Sequence, residues 1–375
     1  MKIIKIIIIG FMILSFFTFS MAYGAPWKTK KLTFTSNASF DPAIGVDGSN
    51  IYVVWREGDL NTNIYFKKSM DRGATWQASK NLKYRGSCTG NYESPAIAVD
   101  ASNIYVVCDD QSKIYLKKST DGGTTWKATK KLTITQYWTG YPKIAVNGSN
   151  IYMVCQGTSS SAVYNNDEIY FKKSTDGGAT WQATERLTNA LYWAVDPAIA
   201  VVGSNIYVVW EECISGGSAI FFKKSTDGGA TWQPTKRLTN TTGPTIKPAL
   251  AANGSNIYVV WLEGSAIFFK KSTDGGATWQ ATKKLANTIY GGSPSMAVYG
   301  SDICVVWEDS TPGNPEIYFI MSKNRGATWQ PKMRLTSTSG NTYHPAIAIN
   351  SSNIYVVCDD GTSGNYEIYL MYTTH

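Results

Sequence analysis

Apolar and polar positions follow a small set of patterns that return along the whole chain. The first is an apolar run, broken by a Gly-Ser-Asn turn or a variant of it, of the form PAIAVxGSNIYVVW; it starts at Pro42, Pro95, Pro142, Pro197, Pro248, Pro294 and Pro345. The second alternates, as in IYFKKS, and starts at Ile64, Ile114, Ile169, Ile220, Ile267, Ile317 and Ile368. Strict alternation and short apolar runs between turn residues predict strands, and no helical period competes with them. A third element, SxDxGxTW, runs from Ser69 to Trp76 and recurs to Trp126, Trp181, Trp232, Trp279 and Trp329. Its six copies are 47 to 55 residues apart.

Each unit therefore predicts four strands: one after the Pro, one ending in VVW or VVC, one reading IYFKKS, and one after the Trp. The first two patterns occur seven times and the third six, because the last copy of IYFKKS reaches the C-terminus without a Trp. The missing strand is found at the other end of the chain, where Trp27-Lys28-Thr29-Lys30-Lys31-Leu32-Thr33 matches Trp126 to Thr133 with one residue deleted. A four-stranded sheet cannot bury both of its faces alone, so radial stacking of blades is the expected solution. The predicted fold is all-β, a seven-bladed β-propeller of four-stranded antiparallel blades, closed by an N-terminal strand that completes the C-terminal blade. Expected boundaries are 41–90, 94–135, 141–190, 196–241, 247–288 and 293–338 for blades one to six. Residues 344–375 and 27–36 form the seventh, and 25–375 make a single domain.

Composition changes this picture at three points. Lys2 and Lys5 precede an apolar run from Ile6 to Phe19, and Ala22-Tyr23-Gly24 offers small residues for cleavage, so residues 1–24 read as a signal peptide. The expectation is an exported chain, secreted or periplasmic, with no membrane span after cleavage near Gly24. Removing Lys2 and Lys5 takes the formal charge from +8 to +6. Many lysines recur at one repeat position, such as Lys67-Lys68 and Lys223-Lys224, and read as a solvated strand edge, not a nucleic-acid surface. Among six cysteines, Cys108, Cys155 and Cys358 stand where other repeats have Trp and Cys304 where they have Tyr. Equivalent positions on different blades are too far apart to bridge, so these four read as small buried apolar residues; Cys88 and Cys213 are undetermined.

Within SxDxGxTW, the carboxylates of Asp71, Asp121, Asp176, Asp227 and Asp274 are placed to accept backbone N–H bonds, Gly supplies positive φ, and Trp forms an apolar lid. Asn324 keeps the acceptor oxygen in the sixth copy. Six such turns in register resemble the Asp-box, or BNR-repeat, propellers of the sialidase-like superfamily, a group with sialidases, other glycosidases and non-enzymatic members. The resemblance implies that the boxes lie on the face away from any active site. The candidate face is then formed by the turns between strands two and three and by the connections between blades.

Two sets of residues converge on that face: Asp41, Ser94, Tyr141, Asp196, Lys247, Ser293 and His344 before the innermost strands, and an acidic set after strand two that includes Glu57, Glu211 and Asp359. Sialidases hold a substrate carboxylate with three arginines. Of seven arginines here, only Arg56 and Arg85 are placed to reach the face, so the triad is not expected. Two carboxyl groups would suffice for another glycosidase, with Asp41, Glu57, Asp196 and Glu211, and His344 beside Asp41, as candidates. An acid in nearly every blade is nevertheless explained as a bond to the turn that follows it. Phe40, Tyr92, Trp138, Tyr141, Trp193, Tyr290 and Tyr343, with Lys247, offer rings and polar groups for a sugar, or plugs between blades. Three readings stand: a module binding carbohydrate or a surface partner, a glycosidase, and a protein-binding scaffold. No metal or cofactor is called for, and a monomer is expected.

Overall fold

The computed structural model describes residues 26–58, 63–84, 94–110, 112–158, 167–241 and 243–375. Seven four-stranded antiparallel sheets form the ring. Blade one runs from an inner strand, Ser39–Asp47, through Asn50–Glu57 and Asn63–Ser69 to a short outer strand, Lys80–Asn81. In the seventh sheet Thr342–Ile349, Asn353–Asp360 and Glu367–Thr374 are completed by Lys28–Lys31, with Lys28 opposite Tyr372 and Lys31 opposite Tyr369. The Leu32 N–H continues this pairing to the Ile368 carbonyl at 2.7 Å, and its side chain is buried between blades seven and one.

The run IYVVW is apolar at every position because both faces of strand two are covered. Ile51, Val53 and Trp55 pack on Tyr355 and Val357 of blade seven, whereas Tyr52 and Val54 pack on Ile104, Val106 and Cys108 of blade two. Cys155, Cys304 and Cys358 are free and buried, as expected of small apolar residues. Cys108 corrects that expectation, because it is disulfide-bonded. The repeat argument excludes only bridges between equivalent positions, and says nothing of a bridge from a strand to a residue outside the register. Cys213 is free, and Cys88 lies outside the described residues.

The Asp boxes have the expected chemistry. Ser69 Oγ donates to Asp71 Oδ1 at 2.7 Å and accepts the Gly73 N–H at 2.9 Å, while the Asp71 carboxylate takes the N–H and hydroxyl of Thr75 at 2.8 and 2.5 Å. These donors hold the Asp71 pKa down at about 2. Asn324 keeps the bond from the Thr328 N–H at 2.8 Å and donates to the Thr328 hydroxyl. The lid also reaches the neighbouring blade, since Trp126 meets Phe66 edge-on at 5.0 Å and Trp232 meets Phe171 likewise. Each box is tied to the first turn of its own blade, as Arg72 N–H to Ser49 carbonyl at 2.9 Å, so both turns occupy one end of the ring.

The recurring lysines are not a solvated edge. Lys68 donates to the Gly122 carbonyl in the next blade's box at 2.7 Å, and Lys118, Lys173 and Lys224 repeat the bond to Gly177, Gly228 and Gly275. The lysine before it turns back, as Lys223 to Leu187 and Lys270 to Leu238, both at 2.7 Å. Burial lowers the pKa of Lys67, Lys68, Lys223 and Lys270.

Leu32 tests the closure. Leu32→Ala removes a buried side chain at the junction of both termini and is expected to cost about 2–5 kcal/mol, read as a lower urea midpoint with an unchanged slope.

Candidate functional site

At the end of the ring opposite the boxes, six inner strands carry a bulge among the described residues. In blade one, Phe40 faces Arg56 and Ala43 faces Val54, leaving Asp41 and Pro42 outside the ladder; the same shift recurs from Gly140 to Lys143, Val195 to Ala198, Ile246 to Ala249, Gly292 to Ser295 and Tyr343 to Ala346. The residue before the Pro is left-handed in each, with φ of 51° at Asp41, 54° at Tyr141, 50° at Asp196, 53° at Lys247, 43° at Ser293 and 50° at His344. Such a backbone costs a side-chain-bearing residue about 1–3 kcal/mol and persists only where its surroundings enforce it.

In four of the six, the N–H of this residue is held by the carboxylate one residue beyond the strand-two Trp or Cys of the preceding blade. Asp109 accepts the Tyr141 N–H at 3.3 Å, Glu308 that of His344 at 2.8 Å, and Asp359 that of Asp41 at 3.3 Å; Glu211 accepts that of Lys247. Gln156 supplies the same acceptor to Asp196 at 3.0 Å, so it is chemically in pattern. The first acid after strand two thus serves the blade that follows, while the second, in Asp110, Asp309 and Asp360, bonds the turn that follows as expected. The next acids act locally: Glu212 and Glu263 accept indole N–H bonds from Trp210 and Trp261 at 2.9 and 3.0 Å, and Asp110 caps its hairpin at Ser112 and Lys113. Glu57 belongs to this group, facing Trp55 at 3.5 Å with its pKa raised by burial, and does not line the channel.

The bulges bring Asp41, Ser94, Tyr141, Asp196, Lys247, Ser293 and His344 together around a central cavity of about 810 Å³. At the junction of blades seven and one, Asp41 holds Arg56 at 2.5 Å, the guanidinium lies over Phe40 at 4.6 Å, and His344 bridges Asp359 at 2.9 Å and Asp41 at 3.3 Å. Burial alone would lower the His344 pKa, but the Asp359 hydrogen bond and the charges of Asp359, Asp41 and Glu308 outweigh it and raise it to about 9. Across the mouth, burial raises Asp196, and burial together with the charge of Asp196 lifts Glu211, which like Glu57 is buried and does not line the cavity, to about 7.

The aromatic candidates divide. Phe40 and Tyr343 are half-buried against Tyr366 at 5.0 and 6.3 Å, a plug across the junction of blades seven and one, and Trp138 and Tyr141 are half-buried with ring centroids 6.3 Å apart. Trp193 and Tyr290 are 47% and 91% exposed, and Leu191 beside Trp193 is 78% exposed. Tyr92 and Arg85 lie outside the described residues. Two residues of the region were not anticipated. Tyr366 sits in a loop with no repeat register to flag it, whereas Lys143 stands in the cavity wall where other blades have Ala or Ser, a departure legible in the sequence.

A profile of the BNR repeat-like domain matches residues 93–253 and 150–356, which together span most of the chain. The chain belongs to the BNR repeat-like family. No curated protein sequence matches this BNR repeat-like propeller. Solved structures similar to it include a PL25 ulvan lyase, a polysaccharide lyase, at 12% identity and a TM-score of 0.57 over 91% of this chain and 95% of that one. The phage phi92 endosialidase aligns at 11% identity and 0.54 over 93% and 69%. The Fusarium graminearum α-L-arabinofuranosidase Arb93A aligns at 13% and 0.53 over 75% and 92%. At these identities the likeness is one of fold. Among the described residues no helix is long and apolar enough to cross a membrane.

The His344 bridge has a defined pH dependence. Because its pKa is raised on folding, its stabilisation is complete below the unfolded value of about 6.5 and lost as pH rises through about 9. Urea midpoints of the parent and His344→Gln are expected to differ most near pH 6.5 and to converge above about pH 9.

Proposed function

We propose that this is an exported propeller that binds carbohydrate through the end of the ring opposite the Asp boxes. The observation that carries the reading is the pairing of exposed rings, Trp193 and Tyr290, in the connections between blades with a polar mouth built from Asp41, Tyr141, Asp196, Lys247, Ser293 and His344. A sugar needs an apolar face to stack on and polar partners for its hydroxyls, and this surface offers both. Most strand-two carboxylates are engaged in holding the bulges or their own loops, which favours binding over hydrolysis. The polysaccharide lyase, endosialidase and arabinofuranosidase among the structural neighbours are in keeping with a carbohydrate ligand.

A second reading rests on Asp196 and Glu211. A carboxyl lifted to about 7 beside a second carboxyl is the arrangement of a glycosidase acid and its partner. Glu211 also holds the Lys247 bulge, so its hydrogen-bonding role is explained without catalysis.

A glycan array on the chain from residue 25 onward, followed by titration of the best ligand, tests binding; fluorogenic glycosides test hydrolysis. Trp193→Ala and Tyr290→Ala are each expected to weaken binding about 3- to 10-fold, the equivalent of about 0.5–1.5 kcal/mol, without changing stability. Turnover abolished by Glu211→Gln would establish the glycosidase reading instead. An array without signal and no turnover would leave a protein-binding scaffold.

A further inference from the structure

One repeat position in the wall of the cavity is the residue that follows the Pro. It is Ala43, Ala96, Ala198, Ala249 and Ala346 in five blades and Ser295 in a sixth. In blade three it is Lys143, opposite Val154. Six small side chains keep the lumen open, and the seventh places an ammonium in it. Lys143 makes no hydrogen bond or ion pair among the described residues, and the Asp196 carboxyl of the next blade makes none either; each feels the other's charge at a distance beyond that of an ion pair, and Asp196 feels Lys247 more strongly. Burial lowers the one pKa and raises the other, which is the cost of leaving both unpartnered. Arg56 and His344, by contrast, are already bonded to Asp41 and Asp359.

We propose that the lumen is a binding site, separate from the exposed rings, for a compact hydroxy acid whose carboxylate meets Lys143 and whose hydroxyl donates to Asp196. A single negative charge is favoured over a phosphate dianion because Asp41, Asp109 and Asp196 all act on the same ammonium. About 810 Å³ admits a six-carbon chain. The site shares Asp196 and the cavity with the carbohydrate reading and deepens it, but it does not use Trp193 or Tyr290, so the two can fail separately.

The test uses three six-carbon probes: gluconate, sorbitol without the carboxylate, and hexanoate without the hydroxyls. Calorimetric titration of the parent is expected to show gluconate binding at least about 10-fold tighter than either control. Lys143→Ala installs the residue of the other blades, so the variant is expected to melt at or above the parent temperature without ligand while losing the preference for gluconate over sorbitol. Asp196→Asn should reduce the preference over hexanoate. Trp193→Ala should leave gluconate binding unchanged, which separates this site from the ring surface. Equal binding of gluconate and sorbitol by the parent, or an undiminished preference in Lys143→Ala, would overturn the proposal. So would a Lys143→Ala variant that melts lower than the parent, since Lys143 would then be a brace of the wall.

Discussion

The constraint behind this structure is that strand two of every blade is apolar on both faces and has no water-facing side. A sheet carrying Ile51, Val53 and Trp55 on one face and Tyr52 and Val54 on the other is stable only between two neighbours. That requirement admits no end blade, so the ring closes. The N-terminal strand supplies the outer edge of blade seven and Leu32 fills the space beside it. Polar bonds between blades, lysine to Asp-box carbonyl at one end and carboxylate to bulge N–H at the other, set how the apolar faces are registered.

The fold was legible because it is written seven times. Periodicity gave strand order and blade number, the displaced copy at Trp27 gave the closure, and box chemistry gave the turns at one end. What a repeat shows badly is what one copy does to the next. The lysines read as a solvated edge because alternation places them on an outward face; their partners are carbonyls 51 to 59 residues ahead for Lys68, Lys118, Lys173 and Lys224 and 32 to 36 residues back for Lys67, Lys223 and Lys270, which no local pattern exposes. The acids after strand two have the structural role expected of them, and Asp110, Asp309 and Asp360 bond the adjacent turn; what local pattern does not show is that Asp109, Glu211, Glu308 and Asp359 bond the following blade's bulge.

The candidate site was legible only as departures from the repeat. His344 and Asp41 were expected to meet and do. Lys143 is a departure of the same kind, masked because Pro142-Lys143-Ile144 keeps the apolar frame of Pro-Ala-Ile on both sides of it. Tyr366 and the partner of Cys108 belong to segments with no register, where sequence offers composition and no geometry.

The bulge bonds run in one sense around the ring, each blade holding the next. Two links cannot form, because Arg56 and Leu262 bring no side-chain acceptor to Ser94 and Ser293. The ring is therefore two arcs, blades two to five and blades six to one, joined at seams that lack this link at the mouth. Across both seams the blades are held by apolar packing and by other polar bonds: Lys68 to the Gly122 carbonyl and Lys271 to the Arg325 carbonyl at the box end, and Lys247 Nζ to Ser293 Oγ at 3.3 Å at the mouth. The mouth is thus divided by bonding pattern, with Asp196 and Lys247 on one arc and Asp41 and His344 on the other.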